Sequence, residues 1–111
     1  MDYIYVLECA HNCYYVGKSK DPDKRLASHK AGTGAKWTQK HPPLKYAVSP
    51  RLADKEDSAL DEKMETKRWM KRCGVEYVRG GPYCQVVIHP TTFRALTKEL
   101  NHDNKSDEHY I

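Results

Sequence analysis

Residues 3–7, Tyr-Ile-Tyr-Val-Leu, form an unbroken run of β-branched and aromatic side chains, which predicts a strand. Cys13-Tyr14-Tyr15-Val16-Gly17 predicts a second strand, and Ala10-His11-Asn12 between them suits a tight turn, so the two form a hairpin. The pattern changes at Asp21-Pro22, where Asp can cap a helix and Pro fits its first position. That helix runs through Leu26, Ala27 and Ala31 and stops at Gly32. Residues 33–43 read as a basic loop with one aromatic, Trp37, closed by Pro42-Pro43. Leu44 to Val48 predicts a third strand, and a long helix follows from about Asp54 to Arg72, ended by Gly74. Residues 75–81 read as a second loop, Cys84 to Ile88 as a short edge strand or extended segment, and Pro90 to Leu100 as a short helix capped by Thr91. Residues 1–100 thus make one domain, and 101–111 a polar C-terminal tail with frayed structure.

Side chains alternate along a strand, so Tyr3, Tyr5 and Leu7 share a face. If Cys9 pairs with Cys13, Tyr5 stands opposite Gly17 and Tyr15 opposite Leu7. Tyr5 and Tyr15 are then diagonal neighbours on one face, with Gly17 leaving open space before Tyr5. Two amphipathic core tyrosines with their hydroxyls in water satisfy the same pattern. Arg25 and His29, four apart, share one side of the first helix. A guanidinium fork suits a phosphate and an imidazole can move a proton near neutrality, although an exposed pair without a task has the same spacing. On the long helix, at about 100° per residue, Ala59, Thr66, Met70 and Cys73 fall on one side, with Trp69 at its edge. Glu62 falls inside that cluster and Glu65 about 60° further out. An inward carboxylate is costly without a partner or a metal, which favours Glu62 over Glu65 as a functional group; a boundary glutamate paired with a lysine is the plainer account.

With 111 residues the chain has room for one modest core, and 31% charged side chains with 39% hydrophobic ones is a globular mixture. No apolar run approaches the roughly 20 residues of a membrane span. The start, Met1-Asp2-Tyr3, lacks a basic leader, so the expected location is intracellular and Cys9, Cys13, Cys73 and Cys84 are expected as reduced thiols. Cys9-x-His11-x-Cys13 lacks the usual metal-binding pairing and is read as flanking the turn rather than holding zinc. Net charge is only +4, but residues 18–51 carry nine basic side chains against two acidic ones. A basic stretch of that kind fits an anionic partner such as nucleic acid, and equally a solvated surface.

Taken together, these residues resemble the GIY-YIG endonuclease superfamily, in the form of a small stand-alone member with a VRGG loop. Tyr3-Ile4-Tyr5 stands where the family has GIY, and Tyr15-Val16-Gly17 where it has YIG. Arg25 and His29 stand at its helical arginine and its histidine or tyrosine, and Glu62 at its glutamate. Gly74 to Gly81, with Val78-Arg79-Gly80-Gly81, looks like the late loop of small members. The match covers roughly residues 3–84, and its strength lies in the order and spacing of short motifs. Tyr3 replaces the first glycine, Val16 the isoleucine of YIG, and Tyr77 the asparagine of the late loop.

The resemblance implies an α+β fold, a small three-stranded antiparallel sheet flanked by helices. It implies metal-dependent hydrolysis of DNA phosphodiesters, in repair or recombination. Tyr5 then accepts the proton of the attacking water, Tyr15 holds the water or phosphate, Arg25 offsets charge on the phosphate and His29 assists proton transfer. Glu62 carries one divalent ion, Mg²⁺ or Mn²⁺, whose remaining shell is water and phosphate. Lys18, Lys36, Trp37, Lys40 and Arg79 are candidates for the DNA track: the lysines on phosphates, Trp37 stacked on an unpaired base or packed inside, Arg79 on phosphate or closing its own loop. The residues beyond the match are too few for a recognition domain, so specificity is loose, structural, or supplied by a separate protein subunit. Two other readings compete. Tyr77 motivates a nucleic-acid-binding module that keeps the fold but cuts poorly, and the basic charge alone motivates an adaptor for an acidic protein.

Overall fold

The computed structural model describes residues 1–109, with side chains described through Asn101. Strand β1 (Tyr3–Cys9) turns through a single 3-10 turn into β2 (Cys13–Ser19), with His11 and Asn12 in the left-handed region at φ 63° and 58°. His and Asn are among the side chains that tolerate it. Helix α1 (Pro22–Lys30) begins at the Asp21 cap, whose carboxylate accepts from the Lys24 N–H, and is followed by α2 (Lys36–Lys40) and β3 (Pro43–Leu52). The long helix α3 (Ser58–Cys73) starts at the Asp57 cap and ends at Gly74. A three-residue strand β4 (Val78–Gly80) and helix α4 (Pro90–His109) complete the order.

The strands lie in the order β3-β1-β2-β4. β1 and β2 pair antiparallel with Tyr5 opposite Gly17, Leu7 opposite Tyr15 and Cys9 opposite Cys13, the register that the turn predicts. β3 pairs antiparallel with β1 through three register shifts. It is an edge strand, which is where prolines such as Pro43 and Pro50 are tolerated. β4 runs parallel to β2.

Alternation along β1 sends its side chains into two layers. Ile4 and Val6, with Val16 and Val78, pack under Trp69 and Met70 of α3 and Leu96 and Leu100 of α4. Tyr5, Leu7, Cys9 and Cys13 pack on the other face with Trp37 of α2 and Leu26 of α1. The expected α+β class therefore holds, with a sheet of four strands rather than three.

Local expectations differ in six places. The basic loop at 33–43 contains α2, and the loop at 75–81 contains a 3-10 turn (Val75–Tyr77) and β4. Residues 84–88 form no strand; only Tyr83 bridges, to Gly80. The long helix starts at Ser58, because the Asp54 carboxylate accepts from the Glu56 and Asp57 N–H groups and closes a turn ahead of it. The last helix is capped by His89 Nδ1, which accepts from the Thr91 N–H at 3.2 Å. It continues past Leu100 to His109, and residues 110 and 111 of the expected tail lie outside the described residues. Among the described residues no helix is long and apolar enough to cross a membrane. All four cysteines are free; burial, followed by the neighbouring Cys13 and Glu8, pushes the Cys9 thiol up to about 12.

Candidate active site

The hairpin supplies the two phenols, and Gly17 sets their geometry. A Cβ at that position lies 2.3 Å from the Cζ and hydroxyl of Tyr5. The space before Tyr5 is therefore filled by its own ring, not open as expected. Tyr5 is only 1% exposed, and its hydroxyl is hydrogen-bonded to His29 Nε2 at 3.0 Å rather than lying in water. Tyr15 is half-buried, its ring centroid 5.1 Å from that of His29.

Helix α1 brings Arg25 and His29 to this layer. Its first turn is tied to β3 by the Tyr46 hydroxyl, which donates to the Asp23 carboxylate at 2.6 Å. His29 is 1% exposed, and its second ring nitrogen, Nδ1, lies 2.9 Å from Thr38 Oγ. Burial and then the Arg25 charge lower its pKa to about 4, so the imidazole is neutral at pH 7. A Cβ at Gly34 falls 2.1 Å from Nδ1, so that glycine keeps the ring in place from behind.

Burial raises the Tyr5 pKa; a hydrogen bond and the charge of Arg25 pull it back, while the Glu62 charge adds to the rise. Tyr15 is raised by burial first, then by Tyr5 and Glu62, against Arg25. Arg25 and Glu62 thus both act on the two phenols, although Glu62 arrives on α3, the helix of the opposite layer. Burial raises the Glu62 pKa and Lys18 lowers it. Its carboxylate has no hydrogen bond or ion pair among the described residues. Glu65, by contrast, is committed to Arg68 and to Arg51 at 3.8 Å. The wheel reading holds for Thr66, Met70 and Trp69, while Ala59, expected inward, is exposed.

A half-buried, unpaired carboxylate beside a cation is a hard oxygen donor suited to one Mg²⁺ that keeps most of its water. Among the described residues no three His, Cys, Asp or Glu side chains cluster as a metal cage. Glu62 is thus the one carboxylate of the candidate site, a donor compatible with a single ion that keeps most of its water.

Five track residues were expected, and they divide. Lys18 stands beside the site, its ammonium donating to Ser58 Oγ at 3.1 Å, and Lys36 and Lys40 are exposed on α2. Trp37 and Arg79 are corrections. Trp37 is 3% exposed and its indole N–H donates to the Tyr14 carbonyl at 3.0 Å, so it packs rather than stacks on a base. Arg79 is 4% exposed, donates to the carbonyls of Val75, Val78, Gln85 and Val86, and lies over the Trp37 ring. Four of its five N–H donors close its own loop, and burial withdraws the fork from a phosphate at the surface. Tyr77 is exposed beside Gly74. Sequence reasoning missed Thr38 and Tyr46. Thr38 lay in a segment read as a loop, and Tyr46 carried only the apolar signal of a strand.

A fold with this hairpin, this helical pair and this glutamate defines a class. The family profile of the GIY-YIG catalytic domain matches residues 1–72, about two thirds of the chain, and the chain belongs to that family. It is similar to curated relatives named only as UPF0213 proteins. One from Halalkalibacterium halodurans is 34% identical over 83 residues, 73% of this chain and 87% of the relative. One from Streptococcus pneumoniae is 42% identical over 60 residues, 54% of this chain and 61% of the relative. One from Lactococcus lactis is 38% identical over 69 residues, 62% and 65%. No solved structure matches.

Proposed function

We propose that this chain is a metal-dependent endonuclease that hydrolyses DNA phosphodiesters. The observation that carries the reading is the unpaired Glu62 carboxylate acting on the same two phenols that a neutral His29 and Arg25 adjoin. A structural role alone would leave Glu62 paired, as Glu65 is.

In this reading Glu62, with Lys18 nearby, holds one Mg²⁺ or Mn²⁺. When bound, that ion supplies positive charge against the phosphoryl oxygens and acidifies the water it holds. Tyr5 takes a proton from the attacking water. Its raised pKa means that it is a phenol, not a phenolate, at neutral pH. It therefore passes its own proton to His29 Nε2 as it receives the new one: one water O–H and the phenol O–H break, and a new phenol O–H and an Nε2–H form. The neutral imidazole has the free lone pair that this needs. His29 occupies one side of the buried hydroxyl, so in this reading the attacking water meets it on another side. Arg25 sets its guanidinium against the phosphoryl oxygens, where negative charge grows in the transition state. Tyr15, held neutral by burial, donates its O–H to the water or phosphate. The new P–O bond forms as the P–O bond to one sugar oxygen breaks, and that oxygen takes up the proton that the imidazolium returns through Tyr5, leaving an alcohol and an anionic phosphomonoester.

The test is plasmid and branched-DNA cleavage with Mg²⁺ or Mn²⁺. Wild-type protein is expected to nick, and Glu62→Ala to lose at least about 10²-fold in rate with an unchanged circular dichroism spectrum. Full cleavage by Glu62→Ala overturns the assignment. Salt-sensitive binding by the wild type with no metal-dependent product favours the binding module instead.

A further inference from the structure

His29 has two ring nitrogens, and its usefulness as an acceptor for Tyr5 depends on which one carries the proton. Around Nδ1 the structure offers two incompatible arrangements. The Thr38 hydroxyl donates to the Ala35 carbonyl at 2.8 Å. A hydroxyl has one proton, so Thr38 Oγ can then only accept, and the 2.9 Å contact with Nδ1 is an Nδ1–H donating to it. The other arrangement has the Ala35 backbone N–H, 3.3 Å away, donating to a bare Nδ1, which moves the ring proton to Nε2. The shorter pair of bonds belongs to the first arrangement.

We propose that Thr38 is a positioning residue that fixes His29 in the Nδ1–H tautomer, so that the Nε2 lone pair faces the Tyr5 hydroxyl at 3.0 Å. The chain of donation runs from Tyr5 O–H to Nε2, from Nδ1–H to Thr38 Oγ, and from the Thr38 hydroxyl to the Ala35 carbonyl. Each member is buried or half-buried: His29 and Thr38 are both 1% exposed. Helix α2 has five residues, with Trp37 turned into the core beside Thr38, and its N-terminal end supplies both Thr38 and its acceptor at Ala35. The opposite tautomer would put an N–H on Tyr5, leaving the phenol proton without its acceptor on His29. Substituting Thr38 by Val removes the acceptor and leaves the Ala35 N–H as the one partner of Nδ1, so the ring proton is expected to move to Nε2.

The tautomer is read directly from the ¹⁵N shifts and ring-proton couplings of His29 at neutral pH, where the imidazole is uncharged. No DNA or metal is needed. Wild-type protein and Thr38→Ser are expected in the Nδ1–H form, and Thr38→Val in the Nε2–H form with a dispersed amide spectrum. Only the kinetic consequence rests on the endonuclease reading: kcat falls about tenfold or more in Thr38→Val, with KM held, and recovers in Thr38→Ser. A wild-type His29 in the Nε2–H form overturns the proposal, as does a folded Thr38→Val that keeps the Nδ1–H form. If Thr38→Val does not fold, the wild-type and Thr38→Ser tautomers decide it. A protein that shows the tautomer shift but never cuts DNA refutes the endonuclease reading and leaves this one standing.

Discussion

His29 ties the site to acid stability through one residue. In the unfolded chain its imidazole protonates near 6.5, and in the fold near 4, because burial and Arg25 oppose the charge. Above 6.5 both states are neutral and the group is indifferent to pH. Between 6.5 and 4 the unfolded state binds the extra proton, so stability falls as pH falls, by at most about 3 kcal/mol. Of the groups around it, Tyr5 and Tyr15 are raised away from this window, and Glu62, raised by burial, opposes the trend by binding its proton more readily in the fold. Asp61, held down to about 2 first by its hydrogen bond from Arg51, acts only at lower pH. Urea midpoints should therefore drop from pH 7 to 4.5 in the wild type, and His29→Gln should flatten that slope; an unchanged slope contradicts a buried neutral imidazole. Arg79 makes the complementary case. Arg79→Met strands four carbonyls that now accept from one guanidinium, at a cost of about 3 kcal/mol or more. Melting temperature should fall while DNA affinity per folded molecule stays constant. Loss of affinity without loss of stability would restore Arg79 to the phosphate track.

The hairpin is the element on which the site is built, and Gly17 is where it is most constrained. Gly17→Ala puts a methyl into the Tyr5 ring and should cost about 1–3 kcal/mol. Activity should fall further than stability, since Tyr5 must move off His29. Gly32→Ala is the control. Gly32 has φ +80° with nothing within 4 Å of a built Cβ, so its cost is backbone strain alone and cleavage by the folded protein should be unchanged. Equal effects in the two variants would show that the Tyr5 placement is not set by Gly17. The same hairpin shows why part of the fold was legible. Alternation with period two and a three-residue turn fix a register by local rules, and the helical spacing of Arg25 and His29 and the inward face of Glu62 follow in the same way. β4 and α2 were not legible. β4 is three residues whose pairing with β2 comes from a distant segment, and α2 is a single turn ordered by Trp37 in the core. Without α2, Thr38 had no place beside His29, and without β4 the inward turn of Arg79 had no frame.

At the scale of the molecule, the basic stretch of the sequence divides into paired and unpaired side chains. Of the nine basic side chains in residues 18–51, Arg51 is held by Asp61 and Glu65 of α3, and Lys45 stands 4.0 Å from Glu8. Arg25 belongs to the site. That leaves Lys18, Lys20, Lys24, Lys30, Lys36 and Lys40 without an ion pair among the described residues. Lys36 and Lys40 are one helical turn apart on α2, both exposed, while Trp37 anchors the helix from behind. If this edge is the DNA track, each lysine neutralises a phosphate and releases a counterion. Binding then weakens linearly with the logarithm of salt concentration, and Lys36→Ala/Lys40→Ala should lower that slope by about two. Cleavage at saturating DNA should be retained, because neither ammonium touches the phenols, His29 or Glu62. A slope that does not change places the DNA on another face of the molecule. A double variant that binds normally but cuts slowly would instead bring α2 into the chemistry, through its hold on His29.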